Sequence, residues 1–399
     1  MSYIKISATI SVALLTLVLA AAWTSFSFPS GPSKDSQQQP LFTNAPGSPV
    51  PVQGAPNNVL IGDMNNDRKL DLVVSLARER AITVLEGKGN GQFGAVLGTT
   101  TVADTPSDMA LGDLNGDGKL DVAVSSHDSY GVLLLIGNGK GGLSVGKTFL
   151  MKQGQHPHTH GLAVADMNRD NKLDLITCNN DDNDISLALG DGRGNFTRAP
   201  QTFPVGPSPY PFGVGDVNND GSPDIVATAS ATGPSRRQQL PLSRALTLLL
   251  SDGKGGFSPH QLPIRTGEPW FAAIADLNRD GKADIVATHH ELNAVTVMIG
   301  DGRGGFTEAN GSPFDFGVSL YQLILADVNR DATMDIVGTS GNSIRVLLGD
   351  GRGAFKSTAP IPVGPGAWRM ATADLNGDRA IDVVTSNSDA NSISVLLAK

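Results

Sequence analysis

Several things are scarce in this 399-residue chain. It has one cysteine, Cys178, so it cannot close an internal disulfide. Aromatic residues make up 5% of it, which leaves any core to be built from aliphatic side chains. Beyond the N-terminal apolar stretch no segment sustains a 3.6-residue hydrophobic period, which argues against an α-helical body. The formal net charge is −9, with no basic run or aromatic-interleaved basic patch, and this excludes a nucleic-acid binder. No HExxH or CxxCH is present, and the GxSxG and Walker-type strings each occur once, inside GGLSVGKT (Gly141–Thr148), in a Gly-rich turn and the extended run after it without the helix that either motif needs. The motif-bearing hydrolases, zincins, c-type haem proteins and P-loop enzymes are therefore set aside.

Glycine and proline are what the chain has instead, 47 and 24 residues, a composition that suits short strands joined by tight turns. At the N-terminus Lys5 precedes an apolar stretch from Ala8 to Ala22, and Ala20 and Ala22 offer a cleavage site before Trp23. Residues 1–22 are therefore expected to be a signal peptide, or an uncleaved anchor if Trp23, Phe26 and Phe28 extend the stretch. Either reading places the protein outside the cytoplasm: secreted, periplasmic or on the cell surface. Residues 23–47 are rich in Pro, Ser and Gln and read as a disordered linker, which leaves 48–399 as the folded region. An exported fold without disulfides needs another staple.

A candidate recurs seven times. DLNGDGKLD from Asp113 has relatives DMNNDRKLD from Asp63, DMNRDNKLD from Asp166, DVNNDGSPD from Asp216, DLNRDGKAD from Asp276, DVNRDATMD from Asp327 and DLNGDRAID from Asp374. Their first aspartates lie 50, 53, 50, 60, 51 and 47 residues apart. A Gly-rich turn trails each of the first six: EGKGNGQF, IGNGKGGL, LGDGRGNF, LSDGKGGF, IGDGRGGF and LGDGRGAF. Short apolar runs rich in Val, Ile, Leu and Thr lie between these signals, four extended pieces to a repeat. Such a repeat is a propeller blade. The last copy stops at SISVLLAK after three strands, while FTNAPGSPVPVQ from Phe42 aligns with the fourth strand FTRAPQTFPVG. The expected fold is all-β: a seven-bladed β-propeller of four-stranded antiparallel blades, closed one-plus-three by the N-terminal strand.

The apolar strand, DxNxDGxxD loop and GDGxGxF turn together resemble the FG-GAP (VCBS-type) repeat family, related to the propeller of integrin alpha subunits. The resemblance runs from about Ser48 to Lys399. It implies a propeller and leaves the activity open, since that family includes adhesion modules, lectins and accessory domains of secreted enzymes.

Positions 1, 3, 5 and 9 of the loop are Asp, Asn, Asp and Asp in every copy, a set of oxygen donors suited to calcium. Position 7 would add a backbone carbonyl. The candidate ligands are Asp63, Asn65, Asp67, Lys69 and Asp71 in the first loop, and Asp113, Asn115, Asp117, Lys119 and Asp121 in the second. The third offers Asp166, Asn168, Asp170, Lys172 and Asp174, and the fourth Asp216, Asn218, Asp220, Ser222 and Asp224. The fifth offers Asp276, Asn278, Asp280, Lys282 and Asp284, and the sixth Asp327, Asn329, Asp331, Thr333 and Asp335. The seventh has Asp374, Asn376, Asp378, Ala380 and Asp382. The resemblance implies that the final Asp is the bidentate ligand. Glycine turns sharply at position 6 as Gly118, Gly221 and Gly281, and Asn171 tolerates that turn. Arg68, Ala332 and Arg379 do so less readily, and Pro223 disturbs the fourth loop. The strongest of up to seven sites are therefore expected at 113–121 and 276–284, while the departed copies are either weak sites or simple Asx turns.

The acidic loops and Gly-rich turns share one face, so variable function is expected on the other. Tyr130, Tyr210, Tyr321, Trp270 and Trp368 all fall in connections of that opposite face, with His127, His156, His158, His160, His289 and His290; His260 sits in a fourth strand. Six residues before each motif stand Asn57, Ser107, His160, Tyr210, Trp270, Tyr321 and Trp368, one equivalent position per repeat. The last five, ringed side chains in consecutive repeats, either seal the strand ends or form a platform for a sugar or peptide. HPHTH (His156–His160) is a candidate transition-metal site or a polar loop. The insertion SATGPSRRQQLPLSR carries Arg236, Arg237 and Arg244 toward the same face, and NNDDND from Asn179 reads as a solvated acidic turn. The expectation is a monomeric calcium-binding module for carbohydrate or extracellular protein, not an enzyme. The alternatives are a polysaccharide lyase or hydrolase using His127–Asp128 or His289–His290–Glu291, and a purely structural surface protein.

Overall fold

The computed structural model describes residues 40–155, 157–230, 244–289 and 291–399. The expected signal peptide, the linker up to residue 39, Arg236, Arg237, His156 and His290 lie outside the described residues. Within them every regular element is a strand, and no helix is long and apolar enough to cross a membrane.

In the first repeat, strands Pro56–Gly62, Asp71–Leu76, Ala81–Gly87 and Phe93–Thr101 pair antiparallel in sequence order. The acidic loop joins the first two and the Gly-rich turn the last two. The middle strands are buried at every residue but Glu86, because neighbouring sheets cover both faces, and this explains their mainly apolar runs. The outer strand Phe93–Thr101 is largely exposed. Equivalent sheets follow around the other motifs, forming a β-propeller. In the third and fifth repeats the outer strand is broken in two, Phe196–Arg198 with Phe203–Pro204 and Phe306–Glu308 with Phe314–Asp315, which makes five-stranded sheets.

Among the described residues the seven motif repeats fall into six sheets. The sixth and seventh share one eight-stranded sheet because two strands run on through turns: Asp335–Gly349 and Ile361–Ala373. Pairing of Gly341 with Ala367 and of Ser343 with Pro362 carries the ladder from one repeat to the next. Residues 42–47 are not linker. Phe42–Asn44 pair with Ala398–Leu396, and Phe42 and Ala45 are buried.

Each hydrophobic cluster draws on two repeats adjacent in order. Leu60, Val73 and Val84 meet Met109, Val122 and Leu135, for example. The last repeat packs on the first in the same way: Leu375, Val384, Ile393 and Val395 against Val59, Ile61, Leu72 and Val74. The Gly91 N–H donates to the Leu375 carbonyl, as Gly141 does to Met64 and Gly194 to Leu114, so each of these Gly-rich turns rests on the acidic loop of a neighbour.

Candidate functional site

All seven acidic loops have one conformation. The first Asp accepts the N–H groups of positions 5 and 6, as Asp63 does from Asp67 and Arg68 at 3.1 and 2.8 Å. The Asn at position 3 accepts from position 5, and the Asp at position 5 from position 7. The same four bonds recur in the second, fifth and seventh copies and in the third, fourth and sixth. Positions 4 and 6 are left-handed throughout, including Arg169, Arg279 and Arg330 at position 4 and Arg68, Ala332 and Arg379 at position 6. The copies without glycine therefore adopt the same turn at a cost of about 1–2 kcal/mol for each such residue. Pro223 leaves the fourth loop in register, with Asp224 bonded as its counterparts are.

The ninth position does more than the motif suggests. Asp71, Asp121, Asp174, Asp224, Asp284, Asp335 and Asp382 are fully buried. In every copy its two oxygens accept the N–H of loop position 2 and of the residue ending the third strand. The carboxylate thus clips the loop to the third strand. Glycine ends that strand in five copies because a Cβ at Gly87, Gly137, Gly190, Gly300 or Gly349 would overlap the carbonyl of position 8. Burial pushes the pKa of Asp121, Asp174, Asp224, Asp284 and Asp335 up to about 6, against the backbone amides, and the Asp residues at positions 1 and 5 push the same way. Three carboxylates therefore converge in each loop, a donor set that fits a hard cation. A carboxylate has about four lone-pair sites, and the clip uses two of them, so ligation by the ninth position and its clip role are compatible.

Arginines at position 4 link neighbouring loops, a feature the sequence reading missed. Arg279 Nε donates to the Ala332 carbonyl at 2.9 Å, Arg330 pairs with Asp378 at 2.8 Å, and Arg169 with Asp220 at 3.4 Å.

The opposite face is irregular. Its equivalent position forms contacts from repeat to repeat: Asn57 Nδ2 donates to Ser107 O at 3.5 Å, and His160 stacks on Tyr210 with centroids 4.7 Å apart. Tyr210 stacks on Trp270 at 3.8 Å, and Tyr321 leans on Trp368 at 4.7 Å. Tyr210 is buried between its two neighbours and is a spacer; Trp270 and Tyr321 are half-buried, and Trp368 is 38% exposed. Trp270 and Trp368 lie within first strands, not in the connections before them.

One residue further along each first strand is a layer the sequence reading passed over. Arg369 Nη2 donates to Asp108 Oδ1 at 2.8 Å, both side chains nearly buried, and the Gly161 N–H donates to Asp108 Oδ2 at 2.9 Å. The pair joins the seventh repeat to the second, past the first. Counting five residues back from each motif would have found it.

His127 Nδ1 lies 2.7 Å from Asp128 Oδ1, and His158 Nδ1 lies 2.9 Å from Asp181 Oδ1. His158 and His160 meet through Nε2 at 2.8 Å. Burial lowers the pKa of His158, opposed by the Asp181 hydrogen bond, and lowers that of His160 to about 3. His289 does not converge with them. It is buried between the Glu268 carbonyl and Thr296 Oγ1, while Glu291 is exposed. NNDDND is not a solvated turn either: Asp181 takes His158, Asp182 takes Tyr130 and Lys152, and Asp184 takes Asn179 and Thr202. Asn180 and Asn183 bond the backbone of Pro209 and Ser208.

The FG-GAP-like repeat family matches residues 63–124, 113–177, 166–227, 276–338 and 327–385, more than half of the chain. A T-cell immunomodulatory protein homolog of Plasmodium yoelii yoelii is 29% identical over 140 residues, covering 31% of this chain and only 19% of that relative's length. Among solved structures, BBS1N in complex with ARL6DN superposes with a TM-score of 0.62 at 12% identity, covering 90% of this chain and 97% of that one. An Agrocybe aegerita lectin that recognises non-reducing terminal N-acetylglucosamine gives 0.54 at 18% identity over 85% and 87%. Both structural likenesses show the fold alone.

Proposed function

The chain belongs to the FG-GAP-like repeat family, and from that premise we propose an exported, calcium-clipped propeller of seven blades that binds carbohydrate or an extracellular protein through the face opposite its acidic loops. The observation that carries this reading is the run of rings at one equivalent position, His160, Tyr210, Trp270, Tyr321 and Trp368, ending in an exposed indole. Rings that only sealed strand ends would gain most by burying Trp368 fully. An exposed indole beside half-buried Trp270 and Tyr321 offers apolar faces with polar tips, which suits a sugar ring or a peptide.

Seven motifs, the pairing of Phe42–Asn44 with the last strand and the core shared by the last and first repeats support a ring of seven blades closed one-plus-three. In each loop Asp 1, Asn 3, Asp 5 and Asp 9 would hold calcium, with the position 7 carbonyl. Bound calcium would supply charge neutralisation and a fixed turn. Calcium modules outside the cell bind at about 10⁻⁴ to 10⁻³ M, so at ~1 mM calcium each site adds roughly 0.4–1.4 kcal/mol. Of the three loops with glycine at position 6, 113–121 and 276–284, which lack the proline of 216–224, bind most tightly in this reading.

A glycan array probed in calcium with the wild-type protein and with Trp270→Ala and Trp368→Ala tests the proposal, with N-acetylglucosamine-terminated glycans and a panel of extracellular matrix proteins among the probes. Retention by the wild type and its loss in folded variants is expected. Unfolded variants would make the rings packing. Release of product from a polysaccharide panel would instead favour a lyase or hydrolase using His127–Asp128.

A further inference from the structure

Three histidines from two repeats meet beside the stacked rings. His127 follows strand Asp121–Ser126, while His160 lies in strand Thr159–Ala165 and His158 just before it. The meeting is held from several sides. The Thr159 N–H donates to the His127 carbonyl at 3.1 Å, Thr159 Oγ1 to the Ser129 carbonyl at 2.8 Å, and the Asn180 N–H to the His158 carbonyl at 2.7 Å. A bulge between His160 and Leu162, with Gly161 left-handed, re-aims the strand at this point. The sequence alternation in HPHTH pairs His158 with His160, but the third partner comes from 31 residues upstream.

We propose that His127, His158 and His160 bind one divalent transition-metal ion of the zinc class through three imidazole nitrogens, leaving a coordination position open to solvent. Their ligand atoms all lie within 4.8 Å of one another, and His158 and His160 approach through Nε2 at 2.8 Å. A tetrahedral shell with Zn–N of about 2.0–2.1 Å places ligand nitrogens about 3.3 Å apart, so small ring rotations convert the cluster into a shell. The second layer is in place. Asp128 and Asp181 engage Nδ1 of His127 and His158, which orients each ring and leaves Nε2 as its ligand atom. Three neutral nitrogens without a thiolate select zinc, nickel or copper over calcium, and His127, on the exposed side, leaves room for water or a ligand's oxygen. The acidic loops, oxygen-only and on the other face, favour calcium over such an ion.

The test uses the untagged full chain in excess calcium, which keeps the acidic loops from counting. Equilibrium dialysis against zinc is expected to give one ion per chain, and cobalt(II) the absorption bands of a tetrahedral nitrogen-rich shell. His127→Ala should abolish the cobalt bands, and Asp181→Asn should weaken zinc by about 10–100-fold, while His260→Ala changes neither. His127 is exposed, so its loss leaves the fold intact. No zinc bound by the wild type would overturn the proposal and leave the 2.8 Å contact a simple hydrogen bond between imidazoles. So would binding that is unchanged in both His127→Ala and Asp181→Asn.

Discussion

The two faces of this propeller obey different rules. On one, seven loops repeat the same hydrogen bonds, the same two left-handed residues and the same buried carboxylate, even where the sequence departs from glycine. On the other, equivalent positions hold Asn, Ser, His, Tyr, Trp, Tyr and Trp, and among the described residues the Arg369–Asp108 pair and the three-histidine cluster are not repeated from blade to blade. What is repeated seven times serves the architecture. What occurs once, at a position the architecture leaves free, is where selection for a ligand can act.

Breaking the charge pairs should expose that difference most strongly. Arg369→Met leaves Asp108 buried without its cation and is expected to cost about 3–5 kcal/mol, read as a lower urea midpoint. Arg330→Met, which breaks an exposed pair between loops, should cost no more than about 1 kcal/mol. Equal losses would end the contrast.

Acid should then move the faces in opposite directions. Asp284 has its pKa raised to about 6 from 3.8, so between those values the native state binds more protons than the unfolded chain. In EDTA the wild type should gain stability relative to Asp284→Asn as pH falls from 6 to 3.8, by about 3 kcal/mol at 1.36 kcal/mol per pKa unit. His289 has its pKa lowered by burial, so its contribution is present above 6.5 and lost as pH falls below it. The wild type should therefore lose stability relative to His289→Gln over that descent. Denaturant melts of the three proteins across pH check both signs, and a common sign would refute the assignment.

Calcium sharpens the comparison within the loop face. Its removal should lower the melting point of the wild type, and Asp113→Asn should reduce the calcium-dependent part more than Asp63→Asn, each within about 0.4–1.4 kcal/mol at ~1 mM calcium. A modest effect, about 1–2 kcal/mol, is expected from Trp368→Ala, because its indole leans on Tyr321 but is left 38% exposed. A larger loss would show it to be packing.

Much of the loop face was legible because it is local. Nine consecutive residues contain the backbone N–H donors to positions 1, 3 and 5, so spacing predicts the turn. The clip at Asp71 was not, since Gly87 lies 16 residues away and a carboxylate at that spacing carries no mark of its partner. The ringed position was found by counting back from the motif, but that His160, Tyr210 and Trp270 stack on each other depends on how neighbouring repeats lean. NNDDND read as solvent-facing because charge usually is. Tyr130, Lys152 and His158, all from earlier in the chain, cover it instead.

The sequence by itself determined the repeat, the all-β strands, the acidic turns and the face left free to vary, because short-range geometry and strand periodicity are written in consecutive residues. Only the tertiary structure decided that Arg369 meets Asp108 across 261 positions and that His127 joins His158 and His160. It also decided that the sixth and seventh repeats share a sheet. Those outcomes depend on the curvature of the whole assembly, which brings distant first strands around a common axis, and no single repeat encodes that curvature.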